Sequence, residues 1–204
     1  MQRLLALSGF LLVFLADRGT AQPARIPAGQ DPPPLPAKGS ARVFITPLSL
    51  PEDSLKGLCD ASDAIVEGTV DMVLAARTPS PRNVETDSVI SVLRVLKGPV
   101  ALKKVTISQT GGTVGGFVFE PQSYSMMRPS EHYLLFLRSD ARPTTPRSAN
   151  APPYIVTSSW LGLFPVINGR IRLGPQHPDG IRSPNTGATI ETVEAAVSAI
   201  VGKR

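Results

Sequence analysis

Ala64-Ile65-Val66-Glu67-Gly68-Thr69-Val70-Asp71-Met72-Val73-Leu74 alternates apolar and polar residues. Val66, Gly68, Val70, Met72 and Leu74 share one face, and Glu67, Thr69 and Asp71 share the other. A period of two predicts a half-buried strand, with Gly68 at a bulge or bend. Downstream, Val84 to Lys97 is apolar on both faces from Val89 to Leu96. Val89, Val92, Leu93 and Leu96 also fit helical spacing, but the β-branched residues Val89, Ile90, Val92 and Val95 favour a strand. Lys104–Thr110 alternates cleanly, and Tyr133-Leu134-Leu135-Phe136-Leu137 is an uninterrupted apolar run of strand length. Such a run belongs to a strand buried on both faces. Tyr154-Ile155-Val156-Thr157 starts another strand. Phe164 to Leu173 reads as a hairpin around Asn168-Gly169, because that dipeptide adopts the tight turn whose twist matches paired strands.

Around these strands the pattern changes. Residues 1–21 read as a signal peptide: Arg3 is the basic start, Leu4–Leu15 is apolar, and Gly19-Thr20-Ala21 supplies small residues for cleavage. The apolar run is too short for the roughly 20 residues that cross a bilayer. Later apolar stretches are all interrupted, so no membrane span is expected after cleavage, and the product is periplasmic or extracellular. Residues 22–48, with Pro23, Pro27, Pro32, Pro33, Pro34, Pro36 and Pro47, read as a disordered Pro-rich tether. The 49–204 remainder is one domain. Ser49-Leu50-Pro51-Glu52 has capping-box spacing and predicts a short helix reaching about Cys59. At the far end Thr189 is an N-cap candidate, and Ile190, Val193, Val197, Ile200 and Val201 mark the apolar face of a closing helix. The expected class is α+β and β-dominated.

Three segments together carry a resemblance. Asp63-Ala64-Ile65-Val66-Glu67-Gly68-Thr69-Val70, then Val92-Leu93-Arg94-Val95-Leu96-Lys97-Gly98, then Glu131-His132-Tyr133-Leu134-Leu135-Phe136-Leu137 follow one order. It resembles D-x-[IV]-[VF]-x-G-x-V, V-x-x-[VF]-x-K-G and G-E-x-Y-L-[IV]-F. That order is similar to the OB-like barrel of the tissue inhibitors of metalloproteinases and their exported, cysteine-poor bacterial relatives. Ser130 stands where the pattern has Gly. The resemblance covers about Ser62–Leu173 and implies a five-stranded Greek-key barrel with a short helix before it and an amphipathic helix after it. Those inhibitors chelate the protease zinc through an N-terminal cysteine. Here the processed chain would start at Gln22, so the resemblance implies a fold and no inhibitory residue.

Composition narrows function by exclusion. One cysteine excludes a disulfide framework and a multi-cysteine zinc site, and two histidines leave little for a histidine-rich centre. Cys59 reads as a buried inert thiol, with a disulfide-linked dimer and a reactive nucleophile as the alternatives. The net charge of +5 is scattered, Lys103-Lys104 being the only adjacent basic pair before Lys203-Arg204, which speaks for solubility and against nucleic-acid binding. Gly111-Gly112-Thr113-Val114-Gly115-Gly116 invites a phosphate-loop reading, but strand-like Phe117-Val118-Phe119 follows where a helix is needed. Glu131 and His132 are adjacent on a strand and point apart, and His177 lies in the Gly174–Ala188 loop, where solvation is the default. No catalytic residue, metal ligand or cofactor is assigned. The segment Gly112–Ser130 is long for a connection and rich in apolar residues. It lids one barrel end as core, or it offers a contact surface built from Phe117, Phe119, Tyr124, Met126, Met127 and Arg128. The leading expectation is a non-catalytic module binding an unknown protein partner. A structural envelope protein and an enzyme of unknown reaction are the alternatives.

Overall fold

Five strands carry the architecture in this computed structural model: β1 (Ala64–Val73), β2 (Asn83–Lys97), β3 (Lys104–Thr110), β4 (His132–Ser139) and β5 (Pro153–Val156). The structure describes residues 14–15, 39–43, 54–80, 83–121, 124–139, 153–158, 160–174 and 177–202. Neighbours pair in the order β1-β2-β3-β5-β4, and β4 returns to β1, so the sheet closes on itself. The β3–β5 pair is parallel and the other four are antiparallel. This is a closed five-stranded barrel of the OB-like type, and closure leaves the five strands no free lateral edge where they pair.

Alternation along the strands explains the two cores. Val66, Val70, Ile90, Val105, Ile107, Tyr133, Leu135, Leu137, Tyr154 and Val156 fill the barrel. Ile65, Leu134 and Phe136 point outward from β1 and β4, and are just as buried. Against that outer face pack α1 (Leu55–Ala61) and α3 (Ile190–Val201), with α2 (Asp179–Asn185) adding Ile181. Each such apolar side chain contributes about 1.5–3 kcal/mol of burial. That double burial is why the 133–137 run shows no polar alternation.

The expected strands are present, and Asn168 and Gly169 turn the hairpin β6 (Leu163–Ile167) to β7 (Arg170–Ile171) with φ of +52° and +71°. Thr189 caps α3 by accepting from the Thr192 amide. Other details differ from expectation. Met72 and Leu74 are 49% and 40% exposed, not buried with Val66 and Val70. The register slips between Val70 and Met72, and pairing with β4 ends at Thr69, so this end of β1 projects beyond the barrel wall. Helix α1 is capped by Ser54, whose side chain accepts from the Gly57 amide at 3.1 Å. The capping box expected at Ser49–Glu52 lies outside the described residues. So do the leader apart from Phe14–Leu15 and most of the 22–48 tether. Within the latter, Gly39–Val43 is a strand, parallel to Phe117–Pro121 and antiparallel to Phe14–Leu15. Among the described residues no helix is long and apolar enough to cross a membrane.

The polar residues of the three-segment pattern have structural work. The Ser139 amide donates to the Asp63 carboxylate at 2.8 Å. A Cβ on Gly68 would meet the Ile90 side chain at 2.5 Å and the Ser91 carbonyl at 2.7 Å, so β1 and β2 need glycine there. The Lys97 ammonium donates to the Cys59 carbonyl at 2.8 Å and to that of Ser62, closing the negative end of α1. Gly98 has φ +100°, and Ser130 has φ +69°. Glycine at the Ser130 position would adopt that conformation without a Cβ penalty. The pattern therefore encodes barrel construction.

Candidate functional site

The connection from β3 to β4 is the part of the barrel end with most structure of its own. Its glycine run is a hairpin: Gly112–Val114 pairs antiparallel with Phe117–Pro121, and Gly115-Gly116 turns it with φ of +58° and +82°. Gly-Gly between β-formers is a two-residue turn signal of the same kind as Asn168-Gly169. The chain then crosses the barrel end through Tyr124–Ser130. It is pinned by the Tyr124 hydroxyl donating to the Thr110 carbonyl at 2.6 Å, the Met127 amide to Gln109 Oε1 at 3.1 Å, and the Arg128 amide to Glu131 Oε2 at 2.8 Å. Thr86 Oγ1 donates to the Gly111 carbonyl at 2.6 Å beneath it.

This fixes where the six expected contact residues lie. Phe117, Phe119 and Met127 are buried, Met127 within the barrel core. Tyr124 and Met126 are half-buried, and Arg128 is exposed. Met127 anchors the connection in the barrel core, Tyr124 packs against the outer core, and Met126 and Arg128 keep part of their surface open. Burial pushes the Tyr124 phenol well above its ordinary pKa, so it stays a neutral donor. Tyr133 is raised too, by burial and then by its hydrogen bond to Glu131 at 2.6 Å.

Beside Tyr124 is a cavity of about 100 Å³, walled by Tyr124, Ser125, Tyr133, Trp160, Leu163 and His177, with Pro165, Arg172 and Gly174 completing it. Trp160 sits in the Thr157–Gly162 excursion that separates β5 from β6. His177, expected to be solvated, is 4% exposed and meets the Trp160 ring edge-on at 5.2 Å. Phe164 of β6 also meets it edge-on, at 6.1 Å. Burial lowers its pKa, so the imidazole is held neutral; the Gly174, Leu163 and Trp160 carbonyls pull the other way without closing a hydrogen bond of normal geometry.

A second polar cluster lies outside the barrel, under α3. His132 Nε2 and Glu67 Oε1 are 2.9 Å apart, Arg94 Nε is 3.7 Å from Glu67, and the Arg94 guanidinium also grips Glu194. Glu194 is 4% exposed, and its pKa is raised to about 7 by burial first and by Glu67 second, against the pull of Arg94. Glu131 does not join His132: it serves Arg128 and Tyr133. The sequence offered one signal for this cluster, since Glu67 and His132 both fall on outward positions of strands that pair. Cys59 is buried in the outer core, and a single cysteine forms no disulfide within the chain. Among the described residues no three His, Cys, Asp or Glu side chains group to hold a metal ion. In comparisons with known proteins, no family model and no curated sequence matches the chain.

Proposed function

We propose that this is an exported, non-catalytic module that binds another protein through the barrel end closed by residues 112–130. One observation carries the reading: Met127 seats this connection in the barrel core and Phe117 and Phe119 are buried too, while Met126 and Arg128 keep surface open and Tyr124 lines a cavity. A pre-ordered surface with an apolar centre and a cationic rim suits protein contact, because little ordering entropy is lost on binding. The OB-like barrel fits this reading and is shared with the inhibitors that the three-segment pattern resembles. That likeness suggests a protein partner and no particular one, since a fold does not dictate its site.

The test uses a double variant that spares the anchors, Met126→Ser with Arg128→Glu. Its urea midpoint should stay close to that of the parent, whereas retention of envelope or secreted proteins on the immobilised chain should fall at least tenfold. Unchanged retention of a saturable partner moves the site elsewhere, and no saturable partner for the parent favours a structural envelope role.

A further inference from the structure

Among the described residues, five buried side-chain nitrogen or oxygen atoms have no hydrogen-bond partner, and three of the five are ring nitrogens of Trp160 and His177. Both side chains are more than nine-tenths buried, at 6% and 4% exposure, and both wall the cavity of about 100 Å³ beside Tyr124. A buried polar atom without a partner is costly, and native chains provide one from protein, water or ligand. Three such atoms along one wall are more than packing alone explains. We infer that this cavity is a binding site for a short carboxylate, an acetate- or propionate-sized group that offers acceptors to Trp160 and His177 and its charge to Arg172.

The chemistry of the wall selects the ligand. The Trp160 indole and the Arg172 guanidinium donate and cannot accept, and a neutral imidazole donates from one of its nitrogens. The Tyr124 and Tyr133 hydroxyls spend their protons elsewhere, on the Thr110 carbonyl and on Glu131. Among the described residues no Asp or Glu lines the cavity, and the Glu131 carboxylate that Tyr133 reaches is also engaged by the Arg128 amide. Donors and positive charge therefore outweigh acceptors. Leu163, Pro165 and the aromatic rings leave room for an apolar stem. Size sets the length of that stem: a cavity of about 150 Å³ holds a six-carbon ring, so this smaller one suits roughly four or five heavy atoms. Water would serve the buried donors too, but it makes no use of Arg172, which is exposed where the cavity meets solvent. The same chemistry has two sources, a free acid or the side chain of Asp or Glu on a partner protein. The inference goes beyond the protein-binding reading, because a free acid satisfies it equally.

Trp160 is the single tryptophan of the chain, so its indole N–H gives one resonance in a proton–nitrogen spectrum of the intact protein. Sodium propionate, titrated at constant ionic strength, should move that resonance saturably with a midpoint at about millimolar, within the ceiling for so small a ligand. Propionamide has the same shape without the charge and should need at least tenfold more. Arg172→Gln, a change at an exposed position, should weaken propionate at least tenfold and leave propionamide as it was. A Gly-Glu-Gly peptide blocked at both ends, charged only on its side chain, separates the sources. Binding at least as tight as that of propionate assigns the cavity to a partner's acidic side chain, and exclusion of the peptide while propionate binds assigns it to a free acid. An indole resonance that stays in place with propionate overturns the inference and leaves a hydration site. Equal binding of propionamide overturns it as well, as does an Arg172→Gln variant that takes propionate unchanged. None of these readouts depends on Met126 or Arg128, so the pocket stands or falls independently of the Met126→Ser, Arg128→Glu result.

Discussion

Gly68 and Ser130 are single residues on which the barrel's geometry turns, in opposite senses. At Gly68 the constraint is space: a methyl would collide with both Ile90 and the Ser91 carbonyl across the β1–β2 pair. Gly68→Ala should cost about 2–3 kcal/mol by urea unfolding, as overpacking does where backbone must yield. A loss under 1 kcal/mol would show that β2 moves aside freely. At Ser130 the constraint is a φ of +69° in a residue with a Cβ. Ser130→Gly should raise stability by about 0.5–1 kcal/mol, the cost of a left-handed non-glycine residue less the added freedom of the unfolded chain. A decrease would mean that the serine side chain holds the β4 entrance. Both positions were legible in the sequence, Gly68 from the interrupted period of two and Ser130 from its place in the G-E-x-Y pattern. His177 was not, because it packs against Trp160 and Phe164, partners distant in the chain that no local pattern encodes.

Elements were legible where their signals are local. The β6–β7 hairpin follows from Asn-Gly, and α3 follows from Thr189 and the Ile190–Val193–Val197 spacing. The same turn rule reads Gly115-Gly116, and Phe117-Val118-Phe119 already reads as strand-like, yet the surrounding glycines mask the short strand Gly112–Val114 before the turn. Helix α2 shows no such signal, since Gly180 and Pro184 interrupt the helical pattern and only Ile181 among its apolar positions is buried. Helix α1, with seven residues, is too short to persist alone and relies on its ends. Lys97, far along β2, satisfies two carbonyls at its C-terminus. Lys97→Met should keep the stem's packing and lose about 1.5–3 kcal/mol, the range for charge-assisted hydrogen bonds. Faster amide exchange confined to 55–61 is the expected signature, and uniform loss of protection would contradict it.

At the scale of the molecule, the Glu67–Arg94–Glu194 bridge ties α3 to the barrel and makes stability depend on pH. Burial and Glu67 raise Glu194 to about 7 in the folded chain. A carboxyl with a raised folded pKa is favoured by folding while protonated. Its contribution is therefore complete below the unfolded value of roughly 4.3 and fades as pH climbs through about 7. Unfolding free energy should fall by on the order of 1–2 kcal/mol from pH 5 to pH 8, a figure discounted for the solvent-open Arg94. Glu194→Gln should flatten that slope and leave the variant the more stable form at pH 8. A slope that survives the substitution points to another group.

The parallel β3–β5 pair has a consequence for synthesis. Every strand of the barrel except β5 is complete by Ser139, but the wall closes only when Pro153–Val156 slots between β3 and β4. A chain made in order from its N-terminus thus carries two unmatched sheet margins until residue 156 is available, and long-range parallel pairing is slow to form afterwards. A nascent chain halted after residue 150 should be protease-sensitive and prone to self-association, and one extended through α3, which covers the outer core, should resist digestion. The late strand is in effect a completion check: until it has been made, the polypeptide remains an open curl that a holding chaperone can still grip.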